Sequence, residues 1–548
     1  MSDLNPWDEF AGLTDVLDTL AQLPNDEVLT PPHVARSLLS LLPEEVWLNP
    51  DLRWCDPFAK SGVFLREVYK RLMVSLESWE SDPVRRRTHI LQNMIFASAI
   101  TELTSRVVRR TLYQSIDATG KGVVDPEARE LLVPFDSHVG NVWYERGDHA
   151  YKPGKTTCTL CGGAKRVVDA ERENFAYPLL HNQLPFGGKD MQFDIIVGNP
   201  PYQIGMKDET GERTRNISPL YDRFVDKAIN MKPKYILMIT PSRWFSSGKT
   251  LDKFRVRMLA DRRLKKMVDY PNGSEIFPTV QVKGGISYFL WDRDHDGDCE
   301  FEQIVDGEST GVRSRDLRTG DGVLVRDWRG MQIVDKVRSH REFNKNLAEM
   351  VSTRDPFGGH LTTNYQLSKP EEFEGSIPLV FGNKIGHISP DQISDHRKWV
   401  SKFKVLIPKA YGGKVGVKGL QVLGEPIALA PGSACTQTYL VAGHFSSKEE
   451  TVNYAKYLST KFVRFLVLQR KTTQDVTSER FKFAPLLPMN RAWTDEELYR
   501  LFELDQDEVA HIEWTVADRG FIDSSDSPVP FTHLPGGTKF GKQTLDDD

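Results

Sequence analysis

No run of 18 apolar residues occurs in the 548-residue chain, so no segment has the length of an apolar bilayer-spanning helix. The opening residues, MSDLNPWDEF, lack the basic-then-apolar order of a secretory leader. Cysteine is scarce, with five residues in the whole chain, too few for a disulfide framework. These absences predict a protein of the reducing cytoplasm with no membrane partner. An excess of basic charge is also missing: 71 Lys and Arg stand against 76 Asp and Glu, a net charge of -5. A nucleic-acid partner would have to be held by local basic patches rather than by overall charge. No repeat recurs at a fixed period. What is present is a globular composition, 39% hydrophobic and 27% charged, which excludes collagen-like and mainly disordered chains. Its length predicts two to four domains.

The first 300 residues alternate short apolar runs with helical patterns. Strands are expected at 52–56, 93–99, 193–198, 234–240 and 264–270, with helices at 63–76, 101–113 and 249–259. Strands separated by helices predict βαβ units and a mainly parallel sheet. Residues 285–291 and 299–305 flank DRDHDGD, which predicts an antiparallel edge hairpin. The Asp-rich connection imitates a calcium loop, but its twelfth position is Gln303 and its flanks read as strands. Beyond 306 the segments become shorter and richer in Gly, Pro and Ser, with helical patterning returning at 449–468. The expected division is 1–305, 306–520 and a polar, disordered tail over 521–548.

Two loops carry chemistry. Asn199, Pro200, Pro201 and Tyr202 follow the strand FDIIVG directly. Ligands of α/β sheets sit at the carboxyl ends of strands, and two prolines stiffen the loop. The Asn carboxamide oxygen and a proline carbonyl can accept both protons of an exocyclic amino group, while the Tyr ring can stack on a planar base. The bland alternative is a proline turn ending a strand. Residues 56–64, DPFAKSGVF, form a strand–turn–helix junction of the kind that holds nucleotide cofactors, although Lys60 stands where a glycine is usual. Alone, it is equally readable as a plain turn.

Together these loops resemble the S-adenosylmethionine-dependent amino-methyltransferases of DNA. Residues 56–62 are similar to their motif I, D-P-x-x-G-S-G, and residues 199–202 to their motif IV, N-P-P-Y, associated with N6 of adenine. Residues 27–35, EVLTPPHVA, are similar to motif X, which covers the methionine end of the cofactor. The order X, I, IV, with a further domain after the catalytic one, resembles the gamma class of TaqI-like modification enzymes. The resemblance covers 25–305 well and 306–515 more loosely.

The resemblance implies a Rossmann-like methyltransferase sheet with an antiparallel edge hairpin, followed by a C-terminal mixed α/β target recognition domain. It implies catalysis by Asn199, Pro200, Pro201 and Tyr202, and cofactor binding by Thr30, Pro31, Asp56, Pro57, Ser61 and Gly62. In the usual register the ribose-binding acid would fall at Ala99, so Glu102 is the candidate, with a helix-terminal carboxylate as the plain alternative. Asn141 is the candidate contact for the cofactor adenine. Positioned acceptors favour charge developing on the amino nitrogen, and a base paired in duplex DNA must be flipped out to react. Double-stranded DNA is the implied partner. Few residues precede motif X and no separated nuclease set is legible, so any cognate restriction endonuclease is expected as a separate protein.

Weaker signals remain. Cys158 and Cys161 form half of a structural-zinc pattern within an insertion over about 145–190; His149 and His181 are the nearest histidines, at spacings that are not diagnostic. The run 243–266 is basic, and 402–418 holds Lys402, Lys404, Lys409, Lys414 and Lys418 with no acid. Such runs are solvated faces or phosphate tracks. Two other functions are compatible with the motifs: protein-glutamine methylation, because the glutamine amide is also planar, and a non-catalytic DNA-binding subunit with a decayed cofactor loop.

Overall fold

A computed structural model describes residues 29–530 except 100, 134, 145–148, 162–177, 182–191, 205–217, 247–249, 279–281, 283, 319–321, 367–370, 383, 411–418 and 472–474. The chain divides into two compact units, Met1–Trp244 with Gly248–Gly322, and Phe245–Ser247 with Val323–Asp548. The division falls near 322 rather than at the expected 305, because strands that follow residue 305 still pair with the first sheet. No helix among the described residues is long and apolar enough to cross a membrane.

The first unit is built on a ten-stranded sheet. Its strands are β1 (Trp54–Ala59), β2 (Ile95–Ala99), β3 (Val142–Trp143), β4 (Ile195–Gly198), β7 (Tyr235–Pro241), β8 (Leu264–Tyr270), β9 (Ile286–Asp292), β10 (Cys299–Val305), β11 (Glu308–Ser309) and β12 (Arg313–Arg315). A separate short ribbon joins β5 (Gln203–Ile204) to β6 (Ser218–Pro219). The order across the large sheet is β11-β10-β8-β9-β7-β4-β1-β2-β3, with β12 also on β10. From β3 to β7 all neighbours are parallel. β1, β4 and β7 are buried at every position, as expected for parallel strands covered on both faces. Successive strands build outward in opposite directions from β1 and β4, making a switch point at their carboxyl ends.

The expected edge hairpin does not form. β9 is antiparallel, but it inserts between β7 and β8 and pairs with both. β10 instead runs parallel to β8 on the far side. All seven residues of β9 are buried, which suits an interior strand with both edges occupied. The Asp-rich connection crosses the start of β8: Asp292 N donates to Arg263 O, and Arg262 pairs with Asp296. It is a crossover fastened by ion pairs, not a tight turn.

The second unit contains a four-stranded sheet, β18-β15-β16-β19, and a three-stranded sheet, β14-β13-β17. These comprise β13 (Ile377–Phe381), β14 (Lys384–Ile388), β15 (Phe403–Pro408), β16 (Ile427–Leu429), β17 (Ala434–Cys435), β18 (Tyr439–Phe445) and β19 (Ile522–Ser524). Buried aromatics and aliphatics of helices Lys448–Ser459 and Lys461–Leu468 join β15 and β18 in one core. The helical pattern at 449–468 is thus two helices. Thr460 ends the first and caps the second, its Oγ1 accepting from Val463 N. The expected disordered tail begins too early at 521, since β19 pairs in parallel with β16; residues 531–548 lie outside the described residues.

Candidate active site

β1 continues through Pro57, beyond the expected end at Asp56. Its pairing with β2 shifts register between Asp56 and Ala59, which places the donor-less proline in a bulge. The Asp56 carboxylate is buried there and accepts from Phe58 N at 3.2 Å. Gly62 has φ +76° and precedes the helix Val63–Ser75. A Cβ there would adopt a left-handed conformation and meet Val108 Cγ1 at 3.3 Å, so this turn calls for glycine. Ser61 O accepts from the Thr111 hydroxyl at 3.1 Å, tying the loop to the helix after β2.

β4 delivers the second loop to the same end of the sheet. A Cβ on Gly198 would lie 2.5 Å from Phe58 Cε2 and 2.7 Å from Asp56 Oδ1, so the two loops interlock at a bare backbone. Asn199 is buried, and its Nδ2 donates to Thr30 Oγ1 at 3.2 Å. Thr30 precedes Pro31, the N-cap of the helix Pro32–Leu39. Pro200, Pro201 and Tyr202 are buried. Burial drives the Tyr202 phenol above its ordinary range, opposed more weakly by a hydrogen bond with Asn199. Tyr202 O accepts from Leu220 N at 3.1 Å as the β5–β6 ribbon begins.

Thr30, Asp56, Ser61, Gly62 and Asn199 therefore line one cavity, together with Phe58, Lys60, Val63 and Phe64. Burial pushes the Asp56 carboxyl up to about 7, against the Phe58 amide and the Lys60 charge, which hold it down. A carboxyl and an ammonium group thus line one small cavity. Phe58 and Lys60 were not selected as site residues from the sequence; Phe58 reads there as an ordinary strand residue.

Four cofactor candidates do not line the cavity: Pro31 and Pro57, which adjoin lining residues, and Glu102 and Asn141, which are engaged elsewhere. Glu102 begins the helix Glu102–Tyr113 after β2, is exposed, and pairs with Arg106 at 2.6 Å. The Asn141 amide is committed to the backbone instead of a cofactor. Its Nδ2 donates to the carbonyls of Leu91, Gln92 and Ile95 at 3.1, 2.9 and 3.2 Å. That amide fastens the turn ahead of β2, where backbone acceptors lack helical partners.

The 145–190 insertion brings four side chains to one point. The donor atoms of His149, Cys158, Cys161 and His181 all lie within 4.8 Å of one another. Burial pushes the Cys158 thiol up, but the Cys161 and Leu160 amides and the two imidazoles outweigh it and bring it down to about 5.

The basic runs resolve differently from their sequence reading. In 243–266, Arg257, Arg262, Arg263, Lys265 and Lys266 are engaged by Asp226, Asp296, Asp261, Asp292 and Glu300, so most of this charge is locally neutralised. In the second unit Lys404 is 1% exposed within β15. Burial lowers its ammonium to about 8. Buried there, it cannot contact phosphates, contrary to the expectation from sequence. Lys402 is half-buried and donates to Ser446 Oγ at 3.0 Å. Lys409 is half-buried, lowered by burial and by the nearby Arg354. Lys414 and Lys418 lie outside the described residues.

The model of the Eco57I restriction-modification methylase family matches residues 93–277, which include the Asn199–Tyr202 loop. An uncharacterised adenine-specific methylase of Mycoplasma pneumoniae is 33% identical over 315 residues, 54% of this chain and 74% of that protein. Among solved structures, the ATP-dependent type ISP restriction-modification enzyme LlaBIII bound to DNA aligns at 11% identity with a TM-score of 0.46, over 86% of this chain and 39% of that one. The M protein of the type I restriction enzyme EcoKI aligns at 14% identity with a TM-score of 0.31, over 53% and 51%. The chain thus spans about half the length, or less, of these solved relatives. A relative at this identity, matched over most of its length, shows that the chain belongs to the adenine-specific methylases.

Proposed function

We propose that the chain transfers a methyl group from S-adenosylmethionine to N6 of adenine at a specific sequence in double-stranded DNA, as a gamma-class modification enzyme whose cognate nuclease is a separate protein. The observation that carries this reading is the single cavity lined by Thr30, Asp56, Ser61, Gly62 and Asn199. Residues from three distant stretches of sequence meet there.

The cavity suits the proposed cofactor on its own chemistry. It offers a buried carboxyl and an ammonium group, complementary to the ammonium and carboxylate of a methionine moiety. When bound, S-adenosylmethionine supplies an electrophilic methyl group. Asp56, Lys60 and the turn at Gly62 would hold its methionine end. In this proposal Asn199 Oδ1 and the Pro200 carbonyl accept from the target amino group. Such acceptors favour positive charge developing on nitrogen in a site where no solvent reorganisation is needed. Tyr202 supplies the ring against which a flipped base rests. The second unit is proposed to read the DNA sequence, with Lys402, Lys409, Lys414 and Lys418 as its candidate phosphate contacts.

Sequencing for N6-methyladenine after expression in an unmodified host tests the reading. Methylation at one recurrent sequence, lost with Asn199→Ala while cofactor binding survives, is the expected result. A folded wild-type chain that binds the cofactor but leaves DNA unmethylated would exclude it.

A further inference from the structure

Between β3 and β4 the chain makes a small knuckle. Tyr151 and Cys158 form an antiparallel bridge, and Thr159 N donates to Ala150 O at 2.8 Å. This folds Cys158 and Cys161 back toward His149. The helix Pro178–His181 brings His181 to the same point from further along the chain. Both cysteines are 3% exposed and His181 is 8% exposed. Neither cysteine is in a disulfide.

The spacing of the four donors is that of a tetrahedral metal site. Cys158 Sγ lies 3.5 Å from His181 Nε2, and Cys161 Sγ lies 3.3 Å from His149 Nδ1. In a tetrahedral zinc site with ordinary Zn–S and Zn–N bonds, a sulfur–nitrogen edge is about 3.6 Å. Two unrelated thiol–imidazole hydrogen bonds would explain each distance separately. They would not require both pairs to converge within 4.8 Å. Two thiolates and two imidazoles are a donor set for zinc, whereas calcium and magnesium take oxygen.

We infer that His149, Cys158, Cys161 and His181 bind one zinc ion that holds the insertion in place. Four protein donors complete a tetrahedron and leave no position for water, so the ion is structural and takes no part in methyl transfer. Its mechanical consequence is visible nearby. Leu160, between the two cysteines, gives its carbonyl to Arg223 of the helix Tyr221–Asn230. The helix Pro178–His181 packs on that same helix. The zinc therefore ties the insertion to the helix that follows the Asn199–Tyr202 loop and packs beside β7. This inference stands on the four ligands and does not depend on the methyltransferase reading.

Elemental analysis of the full chain, purified under reducing conditions without added metal, tests it directly. We expect one zinc per chain, falling to a small fraction in Cys158→Ser and Cys161→Ser. Cobalt exchanged into the wild-type chain should show the visible bands and thiolate charge-transfer absorption of a tetrahedral sulfur–nitrogen site. If the serine variants do not fold, Cys161→His keeps four ligands and should retain the metal while weakening the charge-transfer band. Asn199→Ala should keep its full zinc content whatever happens to methyl transfer, which separates this inference from the proposed activity. A wild-type chain that takes up neither zinc nor cobalt would overturn it, as would equal metal content in the folded Cys158→Ser variant.

Discussion

Asn199 Nδ2 donates to Thr30 Oγ1 at 3.2 Å, joining residues 169 positions apart in sequence. Both side chains are buried. The bond uses the amide nitrogen and thereby fixes which way the carboxamide oxygen turns. If that oxygen accepts from the reacting amino group, Thr30 is a positioning residue. Asn199→Ala should lower the single-turnover rate by on the order of 10²–10³. Thr30→Val, which keeps the shape but removes the acceptor, should lower it roughly three- to tenfold, with Thr30→Ser restoring most of the loss. A wild-type rate in Thr30→Val would show that the bond only packs the loop.

Asp56 predicts a pH dependence of cofactor binding. Its folded value, raised by burial to about 7, means that the empty site holds a proton below neutrality. A cationic ligand prefers the carboxylate, so affinity should rise with pH through about 7 and then level off. Binding at pH 7 should release about half a proton. For folding the sign is opposite: between about 4 and 7 the unfolded carboxyl has lost its proton and the folded one has kept it. This group's contribution to stability therefore falls as pH rises across that window. Calorimetry in buffers of different ionisation enthalpy measures the proton release, which Asp56→Asn should abolish.

Gly198 is expected to tolerate no side chain. Phe58 is 2% exposed and cannot swing away from a new Cβ at 2.5 Å. Gly198→Ala should destabilise the first unit by ~1–3 kcal/mol and weaken cofactor binding by displacing Asp56. Combining it with Phe58→Leu should recover part of the stability, because the closest clash is with the Phe58 ring. Additive losses in urea unfolding of the double variant would refute that account.

Lys404 and Lys409 should separate on DNA. Lys409→Gln should reduce the slope of log affinity against log salt by about 0.9, the share of one phosphate contact. Lys404→Met should leave that slope unchanged. Its effect should fall on stability instead. Between about 8 and the ordinary lysine value, the folded Lys404 is neutral while the unfolded one is charged, so stability gains from this group as pH rises through that window. The full difference is on the order of 3 kcal/mol. Lys404→Met should be the more stable protein at pH 7.5, with the advantage shrinking toward pH 10.5. Unfolding of both proteins across this range checks the sign.

Local chemistry made part of the molecule legible in the sequence. The apolar run Ile195–Gly198 is followed by Asn199 and two prolines, so both the strand and the rigid loop after it can be read directly. Gly62 marks a left-handed turn before a helix, and the Asp56–Gly62 loop falls where a parallel sheet exposes its ligand end. Pairing and burial are long-range properties, and only the tertiary structure decided them. β10 left its expected hairpin partner because β9 already had neighbours on both edges. Asn141 became a bolt for three carbonyls that no spacing rule identifies. Lys404 sits in β15, which is packed on both faces, and no alternation in the sequence reveals that double burial. His149 and His181 lie on opposite sides of the two cysteines, and only the folded insertion brings their ring nitrogens to the same point. The sequence by itself determined the residue types that do chemistry; the fold decided which of them meet, because contact between distant residues depends on the whole sheet.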